Sequence, residues 1–501
     1  MYDLLILNGE ILDGTGAPAY KANIAVSDGK IALITEGMPE ASCVIDAAGK
    51  VVSPGWIDSH SHSDASVLDY PDQREKIEQG ITFSITGQCG SSAAPKRKAE
   101  GGVELASEYF ERAKAVPQGS SSSMLIGFNS LRYAVLKNEN RAPTPEELEK
   151  MKELLRDAMR AGAIGMSLGL IYVPGCYATT EEVIEMAKVV AEFDGLLASH
   201  IRNENGGLLS AVEEFLTVIR ASGCRGVFSH HKSSKKQNWG LVKKSLAMID
   251  AAVEEGLRVH LDVYPYTASH TSLSSTFLPN EYHPAGLKSV SELLDDRALL
   301  DRIKADRYAR DGEDYSWVLV VRAKGHPEYE GKTLNEIADM RGETDRVETA
   351  FSLLRETDCS VNACYFTMCE EDVEYVIKHP RAMICTDSGN LHGRTHCHPR
   401  LRGSFPRALG RYVRERGVVS LPEMIRKMTS LPASVYRLSG KGLIKEGMDA
   451  DLCIFDPAAI IDGSDFLHPT EKNEGLSYVI VDGKIAVEDG VHNGVRAGRL
   501  Y

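Results

Sequence analysis

Between residues 51 and 386 the chain repeats one pattern, a short apolar run followed by a stretch with helical spacing. The runs fall at 51–57, 81–86, 123–128, 163–168, 195–199, 225–229, 257–263 and 382–386. Amphipathic stretches such as Glu181–Phe193, Ala211–Ala221 and Leu241–Val253 lie between them. Strands that alternate with helices pair in parallel, because each helix returns the chain to the end of the sheet where it began. Eight such units close into a (β/α)8 TIM barrel, which makes the fold class α/β. An open doubly wound sheet is the rival solution, but no glycine-rich phosphate fingerprint follows the first run. The seventh and eighth runs are separated by residues 265–381, too long for one crossover helix. That interval predicts an insertion, placed at about 281–381.

The two ends have another texture. Leu4-Leu5-Ile6-Leu7 runs into Asn8-Gly9, Asn23-Ile24-Ala25-Val26 into Asp28-Gly29, and Tyr478-Val479-Ile480-Val481 into Asp482-Gly483. These are strand-and-turn signals. Chain ends commonly lie close together, so residues 1–53 and 440–501 are expected to form one small β-sandwich domain beside a barrel of 54–439. Two cores fit the size, since 501 residues exceed the ~250–300 that a single core supports. A formal charge of −14 argues against nucleic acid or an anionic membrane as partner. No apolar stretch of ~18 residues and no basic, apolar leader are visible. Ten cysteines in such a chain read as reduced thiols, and the expected location is the cytoplasm.

Barrel enzymes carry their chemistry where strands end at the C-terminal face. The first run leads into Asp58-Ser59-His60-Ser61-His62, and residues two apart in a strand point the same way, so His60 and His62 can reach one metal. The second ends in Gly87-Gln88-Cys89-Gly90 and the fifth in Ser199-His200. The sixth ends in Ser229-His230-His231-Lys232 and the eighth in Cys385-Thr386-Asp387-Ser388. A lone histidine or cysteine is usually structural. Five of eight strand ends carrying zinc-ligand types are not explained by packing. Of the adjacent pair, His230 is expected to face inward, bringing Lys232 with it by strand parity.

These motifs resemble the amidohydrolase superfamily, and within it the N-acyl-D-amino-acid deacylases (D-aminoacylases). The resemblance spans essentially the whole chain. It includes Pro54 to His62, Gly87-Gln88-Cys89-Gly90, Ser199-His200-Ile201-Arg202-Asn203-Glu204, Asp262-Val263-Tyr264-Pro265-Tyr266, His398-Pro399-Arg400, Gly403 to Arg407 and Gly442 to Leu452. Dihydroorotases and hydantoinases bridge two metals with a carboxylated lysine after the fourth strand. Here Ala163 to Leu168 is followed by no lysine before Lys188, and Cys89 looks like the substitute.

The resemblance implies that Cys89, His200 and His230 hold one tight zinc, while His60, His62 and Asp387 line a second, weaker site. It implies hydrolysis of N-acyl-D-amino acids, with Asp387 as general base and then acid. Tyr172, Lys232 and Arg400 match the family's receptor for the substrate α-carboxylate, and Arg394 competes with Arg400 for that role. Residues 264–280 contain no Arg or Lys, which leans toward neutral substrates unless Arg302, Arg307 or Arg310 of the insertion reaches the site. The alternatives are a cyclic-amide hydrolase, a dipeptidase or lactonase, and a non-catalytic scaffold. The last is disfavoured because no ligand position has been lost.

Overall fold

The computed structural model describes residues 1–391, 393 and 395–501. Eight parallel strands form the barrel: Trp56–Asp58, Ile81–Thr86, Ser121–Met124 continued by Ile126–Gly127, Gly165–Gly169, Leu196–His200, Arg225–Phe228, Val259–Val263 and Ala382–Ile384. Neighbours pair in that order. The third strand breaks at Leu125, whose amide donates to Thr86 O at 2.9 Å while Ile164 N donates to Met124 O at 3.1 Å. The ring closes beyond the ends of the first and last strands, where Ser61 bridges Ser388 in parallel. Asp387 N donates there to His60 O at 2.9 Å.

The apolar run at 51–57 divides at Gly55. Val51–Pro54 joins the terminal sheet, antiparallel to Leu452–Phe455, and only Trp56–Asp58 enters the barrel. A Cβ on Gly55 would meet Thr82 Oγ1 at 2.2 Å, so the crossing admits no side chain.

Ile57, Phe83, Ile85, Leu125, Leu196, Ala198, Val227 and Met383 fill the barrel interior. Each such burial stabilises by roughly 1.5–3 kcal/mol for the larger side chains. The outer helices seal the second layer. Pro145–Ala161 starts at Thr144, whose hydroxyl accepts from Glu147 N in a capping box, and Leu208–Ser222 stops at Gly223 in the left-handed region.

Both chain ends build one nine-stranded sheet that runs from Val491–His492 through Leu452–Phe455 and Val51–Pro54 to Tyr2–Ile11 and Lys30–Thr35. It has its own core of Leu4, Ile6, Ile24, Val26, Leu452 and Ile480. The insertion is a four-stranded sheet, in the order Ser269–Ser272, Val361–Tyr365, Val318–Ala323, Lys332–Thr333, with a separate core around Phe277, Ile303, Phe351 and Leu354. Its sheet begins at Ser269, earlier than the expected 281, because the pattern Ser-His-Thr-Ser carries no apolar signal. Among the described residues no helix is long and apolar enough to cross a membrane.

Candidate metal centre

The five ligand-bearing strand ends converge on the floor of one cavity of about 1520 Å³. Cys89 Sγ lies 3.3 Å from His60 Nε2 and 3.2 Å from His230 Nε2. Asp387 Oδ1 lies 3.0 Å from His62 Nε2 and 3.4 Å from His60 Nε2. Ligand atoms of His60, Cys89, His230 and Asp387 fall within 4.8 Å of one another, and so do those of His200, Glu204 and His230. Among the described residues neither ring nitrogen of the buried His200 makes a well-formed hydrogen bond, although Cys89 lies beside it and Glu204 Oε2 is 3.7 Å from Nε2. Buried polar atoms without partners are costly, so this donor set fits a cation that would engage them.

The backbone is bent to make this arrangement. Cys89, His230 and Asp387 have φ of 52°, 37° and 48°, all in the left-handed region. Each costs on the order of 1–3 kcal/mol and persists only where surrounding contacts over-determine it. Gly87 and Gly90 flank Cys89 with φ of 71° and 78°. A Cβ on Gly87 would sit 1.9 Å from Leu125 O, so this turn requires glycine.

A profile of the amidohydrolase family matches residues 43–487. The chain belongs to the amidohydrolase family, in its N-acyl-D-amino-acid deacylase branch. It is 34% identical to the D-aminoacylase of Alcaligenes xylosoxydans xylosoxydans, over 100% of this chain and 97% of that one. The crystal structure of N-acyl-D-glutamate deacylase from Bordetella bronchiseptica, complexed with zinc and a phosphonate mimic of the tetrahedral intermediate, superposes with a TM-score of 0.85. It is 35% identical and is covered to 99% by all of this chain. A D-aminoacylase structure with a binuclear metal centre, described as activated by one metal and attenuated by the second, gives 0.86 at 35% identity, with 100% and 99% of the two chains covered.

The electrostatics prepare Cys89 and His200 of this amidohydrolase for metal ligation. At His60, His62 and His230 burial is outweighed by the neighbouring thiolate and carboxylates, which raise those imidazoles. Burial would push the Cys89 thiol up, but the His60 and His230 imidazoles outweigh it and hold the group well below the ordinary thiol range. It is therefore a thiolate, the form that binds metal. Burial also raises Asp387, yet Arg400 and His230 hold it well below the usual carboxylate range. Burial lowers His200, keeping it neutral and able to ligate. His231 turns away from the cluster, its Nε2 2.7 Å from Ser245 Oγ, while His230 faces the cavity.

The expected ligands fall into two overlapping groups that share His230, with Cys89 beside His200 as well. Cys89 and His230 meet with His60 and Asp387, whereas His200 sits with His230 and Glu204. The three substrate candidates all line the cavity. Arg400 Nη1 donates to Asp387 Oδ2 at 2.6 Å, and its guanidinium lies 4.7 Å over the Tyr264 ring. Lys232 Nζ donates to Glu204 Oε1 at 2.6 Å and lies 2.7 Å from His230 Nδ1. The Tyr172 hydroxyl accepts from Thr271 Oγ1 at 3.0 Å, which ties it to the insertion. Arg394 lies outside the described residues.

Two carboxylates at the centre were missed. Glu204 follows His200 by four residues, and burial, which raises it, is overcome by Lys232 and His200, leaving it below the ordinary range. Asp262, fully buried in the seventh strand, accepts from His230 N at 2.6 Å and lies 3.5 Å from His60 Nδ1. An acidic residue just past a ligand strand was the available signal for Glu204. For Asp262 the signal was a charge inside an otherwise apolar strand.

Arg302, Arg307 and Arg310 do not line the cavity. Arg307 pairs with Asp311, Arg310 with Glu281, and Arg302 stacks on Tyr282. Arg322 does line it, from the insertion sheet.

Proposed function

We propose that this chain hydrolyses the amide bond of N-acyl-D-amino acids with zinc, releasing a carboxylate and a free D-amino acid. The observation that carries the reading is one cavity in which a thiolate, imidazoles and a carboxylate converge beside Arg400, Lys232 and Tyr172. Zinc held by these residues would supply Lewis-acid polarisation of the scissile carbonyl and acidify a water for the attack. Cys89 and His230, with His200, would hold the tight ion, while His60, His62 and Asp387 line the neighbouring position.

Asp387, kept ionised, accepts the proton of the attacking water and then delivers it to the departing nitrogen. Arg400 and Lys232 supply the positive charge that seats the substrate α-carboxylate, Arg400 with a planar fork and Lys232 with a point charge. Tyr172, held by Thr271, adds a hydroxyl donor to that seat. The substrate is a small molecule reached in the cytoplasm, with no nucleic-acid partner. The D preference follows the relatives, which are deacylases of N-acyl-D-amino acids.

The test is acetate release from paired N-acetyl-D- and N-acetyl-L-amino acids by the zinc-loaded protein. Turnover of the D series supports the reading; ring opening of a hydantoin without acetate release from either series ends it. A second reading concerns the side chain. The lack of Arg or Lys in 264–280 favours neutral substrates, but Arg322 lines the cavity and makes no ion pair among the described residues. If it reads a second carboxylate, Arg322→Ala lowers kcat/KM for N-acetyl-D-glutamate and leaves N-acetyl-D-methionine unchanged. Equal effects on both substrates leave neutral selection standing.

A further inference from the structure

We infer that Lys76 is a positioning residue whose buried ammonium locks the seam between the first and last barrel strands and so fixes the turn that presents Asp387. The inference rests on the reading above, in which Asp387 works at the reacting bond. Lys76 sits on the short helix Arg74–Ile77, is fully buried and does not line the cavity. It reaches the chemistry only through its neighbours.

Those contacts converge on one place. Lys76 Nζ donates to Thr386 Oγ1 at 2.6 Å and to Ser388 O at 2.8 Å, with Ser388 Oγ at 3.3 Å. Its counter-ion is Asp58, fully buried at the end of the first strand, with Oδ2 at 2.8 Å. Asp58 Oδ1 accepts from Thr386 N at 2.8 Å, and Oδ2 accepts from Thr386 Oγ1 at 2.6 Å. Ser388 N donates to Thr386 Oγ1 at 3.2 Å. Every partner of the Lys76–Asp58 pair in the segment after the eighth strand thus belongs to the two residues that flank Asp387.

Between those clamped residues Asp387 holds its left-handed φ of 48°. Aspartate visits this conformation more readily than most residues, and at Asp387 the hydrogen bonds on both sides of it hold it there. The same turn sets the histidines: Asp387 N donates to His60 O at 2.9 Å, His62 N donates to Ser388 O at 3.0 Å, and His60 N donates to Asp58 Oδ1 at 3.3 Å. One ammonium therefore fixes Asp387, His60 and His62 relative to one another. A purely structural role could be filled by an apolar side chain without desolvating a charge. What lysine adds is three donors aimed at one turn.

The test uses the full-length zinc enzyme and two variants. Lys76→Met combined with Asp58→Asn removes the clamp without leaving a buried carboxylate unpaired. Thr386→Val keeps both charges and deletes the shared hydroxyl. Thermal unfolding shows that each variant is folded; kcat and KM are then measured, and visible spectra are recorded for the cobalt(II)-loaded forms. A misplaced group costs about 100-fold in rate, so kcat is expected to fall by that order while KM stays within about threefold, with an altered cobalt spectrum. A folded variant with kcat within about twofold of the parent overturns the inference. If the double variant does not fold, Thr386→Val decides by the same kcat criterion. If the parent itself turns over no N-acyl-D-amino acid, the deacylase reading fails, and the cobalt spectrum alone decides. A changed spectrum then supports the clamp and an unchanged one overturns it.

Discussion

Replacing Glu204 by glutamine changes one oxygen to an amide nitrogen and alters two contacts at once. Glu204 Oε1 lies 3.1 Å from His230 Nδ1, while the opposite ring nitrogen faces Cys89 at 3.2 Å. A metal on His230 Nε2 requires the proton on Nδ1; Lys232 Nζ, 2.7 Å from that nitrogen, favours the opposite tautomer, and the Glu204 carboxylate beside both offsets it by accepting from each and raises the ring's basicity. Loss of such a partner typically costs 10–100-fold in metal affinity, or about 1.4–2.7 kcal/mol. The second contact is Lys232, whose Nζ lies 2.6 Å from the same oxygen and whose side chain is 5% exposed. An ammonium left unpaired at that depth costs about 3–5 kcal/mol of stability. Glu204→Gln is therefore expected to weaken zinc binding and destabilise the fold. Lys232→Met added to it restores charge balance and recovers stability without recovering the metal. Chelator competition reads the first quantity and denaturant unfolding the second. A folded Glu204→Gln protein that binds zinc within about twofold of the parent would falsify the assignment of Glu204 to the His230 tautomer.

Cys89→Ala should lose most of its zinc by elemental analysis, because the thiolate is the sole sulfur donor in the cluster; stoichiometric zinc with full turnover rules that out. Asp387→Asn should keep zinc and lose nearly all turnover, since an amide accepts no proton; parental rates would remove Asp387 from proton transfer. Burial, helped by Arg426 and opposed by Glu423, pulls the fully buried Lys427 down to about 8. With a lower pKa folded than unfolded, the native state binds fewer protons between about pH 8 and 10.5, so this group makes stability rise with pH across that window. The rise approaches about 3 kcal/mol, and Lys427→Met is expected to abolish it in denaturant titrations at pH 7.5 and 10; identical pH slopes in parent and variant contradict the depressed value.

The parts legible in the sequence were those written in period and residue type. Alternating apolar runs and helical stretches gave the barrel because a parallel strand buried on both faces favours an apolar run, as in Leu196-Leu197-Ala198. The same logic reached the third strand only from Ser123, leaving out Ser121 and Ser122, and missed Ser269–Ser272, where serine, threonine and histidine carry no apolar signal. His60 and His62 were found by an alternation rule, yet the first strand ends at Asp58, so both sit in the loop beyond it. They converge because Asp58, Lys76 and Ser388 hold that loop, not because of strand parity. Parity likewise predicted Lys232 beside His230, although the sixth strand ends at Phe228 and His230 has turned left-handed. Ligand identity is thus a local property, written in the residue at each strand end. Ligand geometry is a long-range one: Asp387 and His60 are 327 residues apart, and the turn that joins them depends on a lysine whose own sequence context, Arg-Glu-Lys-Ile, reads as an ordinary exposed helix. Its burial follows from the closure of the barrel, the one feature of the fold that no window of sequence contains.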